Sequence, residues 1–166
     1  MTTLTTKRLM LRLAQPADLD ALHALVSNYD VVKMTATWPW PADRDFTASR
    51  SVPFDPEKGV VGLVFCGEDM VGSMGIAAKG DKAELGYMFA PAHWGKGYAT
   101  EMGRALIAHC WTRYPWDEIN ACVFDDNGAS GRVLEKLGFS EGPRCSGECR
   151  ARGAILPTRT YRLARP

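Results

Sequence analysis

The sequence predicts a mixed α/β layer, a sheet flanked by helices, over residues 1–166 as one domain. Three observations predict it. A chain of 166 residues suits one substantial core, and its apolar fraction of 46% is that of an ordinary globular protein. Short apolar runs separated by turn residues read as strands, one near the start and three in succession between Val60 and Phe89. Stripes of helical period lie before and after that meander, each apolar on one side only, as helices packed on a sheet are.

Taken in order, Arg8 to Leu13 alternates, with Leu9, Leu11 and Leu13 on one face of a half-buried strand. Pro16 opens a helix from its first turn, and Leu19, Leu22, Leu25, Val26 and Tyr29 carry helical spacing to about Tyr29. Thr37-Trp38-Pro39-Trp40-Pro41 is a stiff aromatic loop, since its prolines neither donate to a sheet nor extend a helix. Trp38 and Trp40 either cap the core or wall a substrate pocket. A short helix follows from Asp43 to about Ser51. Val60–Cys66, Met70–Ala78 and Ala83–Phe89 form the meander, with turns at Gly67-Glu68-Asp69 and Gly80-Asp81-Lys82, and Pro91 stops it. Ala99, Met102, Gly103, Leu106, Ile107 and Cys110 make the stripe of a helix reaching about Arg113, with Trp111, Tyr114 and Trp116 packing at its end. Glu118–Phe124 is a further strand. Asn127 caps a helix whose apolar face is Ala129, Val133, Leu134 and Leu137, and Gly138 ends it. Gly131 within that helix costs ~1 kcal/mol against Ala, which suits a position where another group comes close. A strand starts at Phe139. After a Gly/Arg-rich stretch from Cys145 to Gly153, Ile155–Leu163 is a last strand that pairs back into the sheet. As an edge strand it offers a surface for a homodimer.

The composition excludes several classes. A net charge of +1 leaves no footprint for nucleic acid or an anionic membrane. No apolar run approaches the ~20 residues that span a bilayer, and the N-terminus has no apolar core of a signal peptide, so a cytoplasmic location is expected. The five cysteines, Cys66, Cys110, Cys122, Cys145 and Cys149, are odd in number, and three sit in apolar runs, as buried thiols of a reducing compartment do. Cys145-x-x-x-Cys149 has no second pair, and His23, His93 and His109 are scattered, so no metal site is expected.

The stretch that carries chemistry is His93-Trp94-Gly95-Lys96-Gly97-Tyr98-Ala99-Thr100-Glu101, at a strand-to-helix junction. Two glycines there let backbone N–H groups converge, and the first helical turn adds its own unpaired N–H groups and dipole. Phosphate is the usual guest of such a site. The spacing lacks the third glycine and the later acidic residue of a dinucleotide fingerprint, and Gly97 is followed by Tyr98 instead of the Lys-Ser/Thr of a Walker loop.

Two blocks then line up in order, ~30 residues apart. The first is Glu84-Leu85-Gly86-Tyr87 with Trp94-Gly95-Lys96-Gly97-Tyr98-Ala99-Thr100-Glu101. The second is Asn127-x-x-Ser130 with Val133-Leu134-Glu135-Lys136-Leu137-Gly138-Phe139. Together they resemble the GNAT superfamily of acyl-CoA N-acetyltransferases, over nearly the whole chain. The branch most similar is that of the ribosomal-protein N-terminal acetyltransferases, which the Lys7–Arg12 strand and the Trp-Pro-x-Pro loop also resemble. The resemblance implies a central mixed, mostly antiparallel sheet that splays between its fourth and fifth strands. It implies acetyl-CoA as cosubstrate, with no metal. Its pyrophosphate would lie on the amides of Gly95, Lys96, Gly97, Tyr98, Ala99 and Thr100. Its pantetheine arm would lie along the Leu85–Ala90 strand and near Asn127. Trp94 departs from the family's Gln/Arg; a main-chain cradle survives that change, a side-chain contact does not.

Acetyl transfer needs a neutral amine, a donor for the developing oxyanion and a route for the departing thiolate. Glu84 is the expected base, acting directly or through water; its alternative is a cross-strand salt bridge. Glu101 is explained by the helix dipole. The oxyanion donor is expected at the backbone of Met88 or Phe89. Many relatives protonate the thiolate with a tyrosine, whose position here is Leu134; Ser130 resembles the serine proposed for this role in the most similar branch, and its alternative is a plain helix-face hydroxyl. The acceptor is a primary amine, either a protein N-terminal α-amine or a small molecule such as an amino acid, polyamine or aminoglycoside. Trp38, Trp40 and the Cys145–Gly153 segment would shape its site, and Arg144, Arg150 and Arg152 either bind an acidic group or are solvated. The alternative from a different class is a non-catalytic acyl-CoA-binding regulatory module; a damaged phosphate turn or a missing carboxylate would favour it, and neither is seen.

Overall fold

A computed structural model describes residues 2–166, so Met1 lies outside it. The strands are Thr3–Thr5 (β1), Met10–Arg12 (β2), Gly59–Cys66 (β3), Asp69–Lys79 (β4), Lys82–Phe89 (β5), Glu118–Phe124 (β6), Ser140–Cys149 (β7) and Ala154–Ala164 (β8). The helices are Leu19–Val26 (α1), Tyr29–Val32 (α2), Arg44–Arg50 (α3), Tyr98–Arg113 (α4) and Gly128–Lys136 (α5), with a 3-10 turn at Pro16–Asp18 leading into α1. One eight-stranded sheet runs in the order β1-β2-β3-β4-β5-β6-β8-β7, and every neighbouring pair is antiparallel except β5 with β6.

The two-residue alternation of the strands divides the core between the two faces of this sheet. On one face Ala83, Leu85 and Phe89 of β5 pack with Met102, Leu106 and Ile107 of α4 and with Leu134 of α5. On the other, Leu63, Phe65 and Met88 pack with Leu22, Leu25 and Val26 of α1 and Val31 and Val32 of α2. Met102, Leu106 and Leu134 are fully buried, and truncating any one to alanine costs ~2–5 kcal/mol.

The β5–β6 pair positions everything that follows. Of the eight residues of β5, only Ala83 and Glu84 pair with β6, against Ile119 and Asn120. Beyond Glu84 the two strands diverge. A parallel pair must be joined by a long crossover, here α4, whose N-terminus sits at the wide end of the gap. The splay expected between the fourth and fifth strands is therefore present, counted as β5 and β6 because the short strand β1 precedes them.

Four expectations change. The first helix breaks at Ser27, whose hydroxyl returns to the His23 carbonyl, and Asn28 caps a separate short helix by accepting from the Asp30 N–H. The Gly/Arg-rich stretch is strand as far as Cys149, because β7 and β8 pair along most of their length. The last strand is interior, lying between β6 and β7, so the exposed edge on that side is β7 and no dimer edge exists at Ile155–Leu163. The thiols in the apolar runs are not all buried: Cys110 is buried, Cys66 half-buried and Cys122 exposed, while all five are free.

Other readings hold in detail. Asn127 caps α5 through Oδ1, which accepts from the Ser130 N–H at 3.3 Å. The helix ends in a Schellman arrangement, with the Phe139 N–H on the Leu134 carbonyl and the Gly138 N–H on the Glu135 carbonyl, both at 3.0 Å. Gly131 is where another group comes close: a Cβ there would stand 2.8 Å from the Tyr161 hydroxyl.

Candidate active site

The gap between β5 and β6 opens into a cleft of about 1250 Å³ that reaches both faces of the sheet. On the α4 side its mouth is the glycine turn. Gly95 and Gly97 adopt φ of +73° and +77°, a region that costs other L-residues ~1–2 kcal/mol. Gly97 is the N-cap of α4 and no side chain caps the helix, so the N–H groups of Tyr98, Ala99 and Thr100 face outward with the positive end of the dipole behind them. Arg8, Arg104 and Lys136 border the same mouth beside Gly97 and Thr100. Arg8 is held there by Glu101, with Nε on Oε2 at 2.7 Å, and its guanidinium stacks over the Tyr98 ring. Glu101 thus has a structural partner, as its place in the first helical turn suggested. The residues fit a diphosphate: main-chain donors in front and fixed cations at the side.

Trp94 does not face this mouth through a charged group. Its Nε1 donates to the Phe89 carbonyl at 2.7 Å and so braces the end of β5. The Lys96 side chain is exposed and lies outside the cleft lining, leaving that residue only its backbone to contribute.

Along β5 the hydrogen-bond alternation decides which backbone groups meet the cleft. The Ala90 N–H donates to the Val71 carbonyl on β4. Stepping back by twos turns the N–H groups of Met88 and Gly86 to β4 and those of Phe89 and Tyr87 to the open side. The Phe89 carbonyl, which accepts from Trp94, shares that open side with its N–H. Met88 is corrected as an N–H donor, because its N–H is spent within the sheet; the residue still lines the cleft, with its side chain packed in the α1–α2 core.

Side chains alternate as well. Glu84 falls on the α1–α2 face with Met88, lines the cleft, and is ion-paired to Lys79 at 2.7 Å. The pair raises the Lys79 pKa, chiefly through the hydrogen bond from its ammonium to Glu84. Tyr87 falls on the opposite, α4–α5 face, and its hydroxyl lies 2.5 Å from Ser130 Oγ. Asn127 and Ser130 both line the cleft from α5, so Asn127 is at once a helix cap and a cleft residue. The candidate carboxylate and the candidate hydroxyl therefore stand on opposite faces of one opening, with strand β5 between them.

The α1–α3 side of the cleft is walled by 33–38, 49–50 and 52–55. Trp38 is in that wall, edge-on to Phe46 at 5.2 Å. Trp40 is not; it lies outside against Tyr29, with the ring centroids 5.3 Å apart. The three arginines are internal ties instead of free ligands. Arg144 pairs with Asp125 at 2.7 Å, Arg150 stacks on Phe46, and Arg152 donates to the Lys33 carbonyl and Asp126, both at 2.6 Å. The Arg150 N–H also donates to the Ala36 carbonyl, and the Cys149 thiol to the carbonyls of Lys33 and Thr35. The tip of the β7–β8 hairpin thereby holds the 33–36 segment in place. Composition and periodicity gave no sign of this tie, since its partners are more than 100 residues apart in the chain. Among the described residues no group of three or more His, Cys, Asp or Glu could hold a metal ion, and no helix is long and apolar enough to cross a membrane.

A sheet splayed beside an uncapped helix N-terminus, with a cleft open on both faces, suits an extended cosubstrate that carries phosphate at one end. The comparisons agree. The family model described as "Acetyltransferase (GNAT) domain" matches residues 8–140, and the chain belongs to that family. Over 171 residues it is 26% identical to the uncharacterized N-acetyltransferase YoaA of Bacillus subtilis, covering 98% of this chain and 97% of that one. Among solved structures it is similar to RimL, a ribosomal L7/L12 α-N-protein acetyltransferase in complex with coenzyme A through a cysteine disulfide; the TM-score is 0.85 with 21% identity, over 98% of each chain. It is also similar to the microcin C7 self-immunity acetyltransferase MccE in complex with acetyl-CoA and AMP, at a TM-score of 0.81 with 16% identity over 96% and 94% of the chains. The chain is an acetyl-CoA-dependent N-acetyltransferase.

Proposed function

We propose that this chain, a single cytoplasmic domain, moves acetyl from acetyl-CoA to one isolated primary amine, the α-amine of a peptide or protein N-terminus, by direct attack in a ternary complex. The observation that carries this reading is the cleft itself. Coenzyme enters from the α4–α5 face, an amine from the α1–α3 face, and they meet where β5 has no strand beside it. Pantetheine would occupy the missing strand's place along Leu85–Ala90.

The charges of the cleft favour a singly charged acceptor. Its carboxylates, Asp30, Asp55, Glu84 and Asp126, are each ion-paired, to Lys33, Lys58, Lys79 and Arg152. A polyamine or aminoglycoside carries several cations and would find no unpaired carboxylate among the described lining residues. The RimL neighbours, which act on a protein N-terminus, support the peptide over the free amino acid.

Glu84 takes the amine's proton in this reading. The strand rises about 3.4 Å per residue, so Glu84 stands about 10 Å from Tyr87 and about 17 Å from Phe89 along β5. A water must relay the proton, and the N–H of Tyr87, the nearer of the two facing the gap, is the better oxyanion donor. Ser130 attends the leaving sulfur, whose thiol pKa of about 8.5 makes that demand modest. Free-thiol release from acetyl-CoA should be measured against peptides of varied N-terminal residue, free amino acids, polyamines and aminoglycosides. Release with peptides, together with the mass gain of one acetyl group, is the expected result. Release confined to polyamines or aminoglycosides would overturn the acceptor assignment.

A further inference from the structure

The hydroxyl of Tyr87 has no part in the transfer described so far. It lies 2.5 Å from Ser130 Oγ and 3.3 Å from the Ser130 carbonyl, on the coenzyme face of the cleft. Tyr87 is half-buried and Ser130 lines the cleft, so the pair spans from the core to the coenzyme's path. The first turn of α5 is fixed around it: the Ser130 N–H is tied to Asn127, and the next residue is the glycine that makes room for the Tyr161 hydroxyl. Burial pushes the Tyr87 phenol up to about 12 against the opposing effect of the Ser130 bond. Either hydroxyl of this pair can donate, and the arrangement that leaves the serine hydrogen free is the one in which Tyr87 donates to Ser130 Oγ. A serine hydroxyl that accepts from its neighbour keeps its own hydrogen for another acceptor. The open direction for that hydrogen is the cleft.

We propose that Tyr87 is a positioning residue: its hydroxyl donates to Ser130 Oγ and so turns the Ser130 O–H toward the sulfur of departing coenzyme A. No proton need leave Tyr87. A phenol at about 12 is a far weaker acid than a thiol at about 8.5, so handing its proton to the thiolate would run uphill by more than three orders of magnitude. The pair acts by hydrogen bonding: Tyr87 fixes the serine, and the serine lowers the charge on sulfur as the C–S bond breaks. The family's helix-borne tyrosine is replaced at its own position by Leu134, and this chain brings a tyrosine hydroxyl to the coenzyme face from β5 instead.

This inference rests on the acetyl-transfer reading for its kinetic consequence but has a test that does not. The full-length protein and its Tyr87→Phe and Ser130→Ala variants would be compared in two ways. The phenylalanine variant keeps the ring and the backbone N–H, so it removes only the hydroxyl. First, the thiol of bound coenzyme A is titrated by its thiolate absorbance, as the difference between complexes with coenzyme A and with its desulfo analogue, which cancels the protein's own cysteines. The wild-type complex should hold the thiol pKa at least half a unit below that of either variant. Second, kcat should fall about tenfold in each single variant, with acetyl-CoA affinity within twofold, and no further in the double variant, because the two hydroxyls act as a unit. A Tyr87→Phe protein with unchanged thiol titration and unchanged kcat would overturn the proposal while leaving acetyl transfer intact. A wild-type protein that shifts the bound thiol but transfers acetyl to no amine would keep the hydroxyl pair and overturn the transfer reading instead.

Discussion

The two walls of the cleft are built by different means. The wall proposed for coenzyme comes from residues 85–89, 93–95 and 97–100, and what it offers is mostly main chain: the open edge of β5, the glycine turn and the first N–H groups of α4. The wall proposed for the acceptor is assembled from 33–38, 49–50 and 52–55, with 33–36 tied from behind by the hairpin tip at Arg152, and it offers side chains held by long-range ties. The contrast teaches which substitutions each wall tolerates. A main-chain cradle depends on backbone conformation and tolerates side-chain change. A wall of docked loops can be altered residue by residue without disturbing the sheet.

Five substitutions would break or sharpen that comparison. The largest effect belongs to Gly97→Trp, which forces a Cβ into a left-handed position beside Arg8 and fills the helix N-terminus. Acetyl-CoA affinity, read by calorimetry, should fall by more than about 100-fold while the protein still melts cooperatively. Retained affinity would move the phosphate site elsewhere. Glu84→Gln should lower kcat at neutral pH by about 10- to 100-fold and leave acetyl-CoA affinity nearly intact. Its exposed ion pair with Lys79 contributes less than about 1 kcal/mol to stability. Unchanged turnover at saturating substrates would remove Glu84 as the base.

Arg152→Ala tests the acceptor wall. It strips Asp126 of its partner and the Lys33 carbonyl of its donor, at a cost of about 2 kcal/mol in denaturant unfolding. The KM for the amine should rise severalfold with coenzyme affinity within twofold. If coenzyme affinity fell equally, the two walls would not be independent. The smallest effect separates the two tryptophans. Trp38→Ala should raise the amine KM about fivefold, and Trp40→Ala should change it less than twofold, since only Trp38 borders the cleft. Equal effects would return Trp40 to the site.

Much of the fold was legible from local pattern. The meander, α4 and the caps of α5 follow from alternation, helical spacing and turn residues, and the structure places them within a residue or two of those signals. The glycine turn was legible because its chemistry is contiguous in the chain. Strand order was less so. Ile155–Leu163 reads as an edge strand because it comes last, yet β8 lies inside the sheet with β7 beyond it. Periodicity tells which residues of a strand share a face, not which strand lies beside it. The same limit hid Met88: whether its N–H meets the cleft or β4 depends on pairing register, which is a property of two strands.

The sequence by itself determined the family, the cosubstrate and the glycine turn at the start of α4, because each rests on a short run whose backbone conformation is set by its own glycines and caps. The tertiary structure decided the rest. It placed Glu84 and Ser130 on opposite faces of one opening, set Tyr87 against Ser130, put Trp38 in the wall and Trp40 outside it, and used arginines that looked free to tie distant loops. Tyr87 and Ser130 are 43 positions apart in sequence, Arg152 and Asp126 26, and Arg152 and Lys33 119. No local propensity encodes such a contact; it exists only once burial of the two cores has brought the elements together.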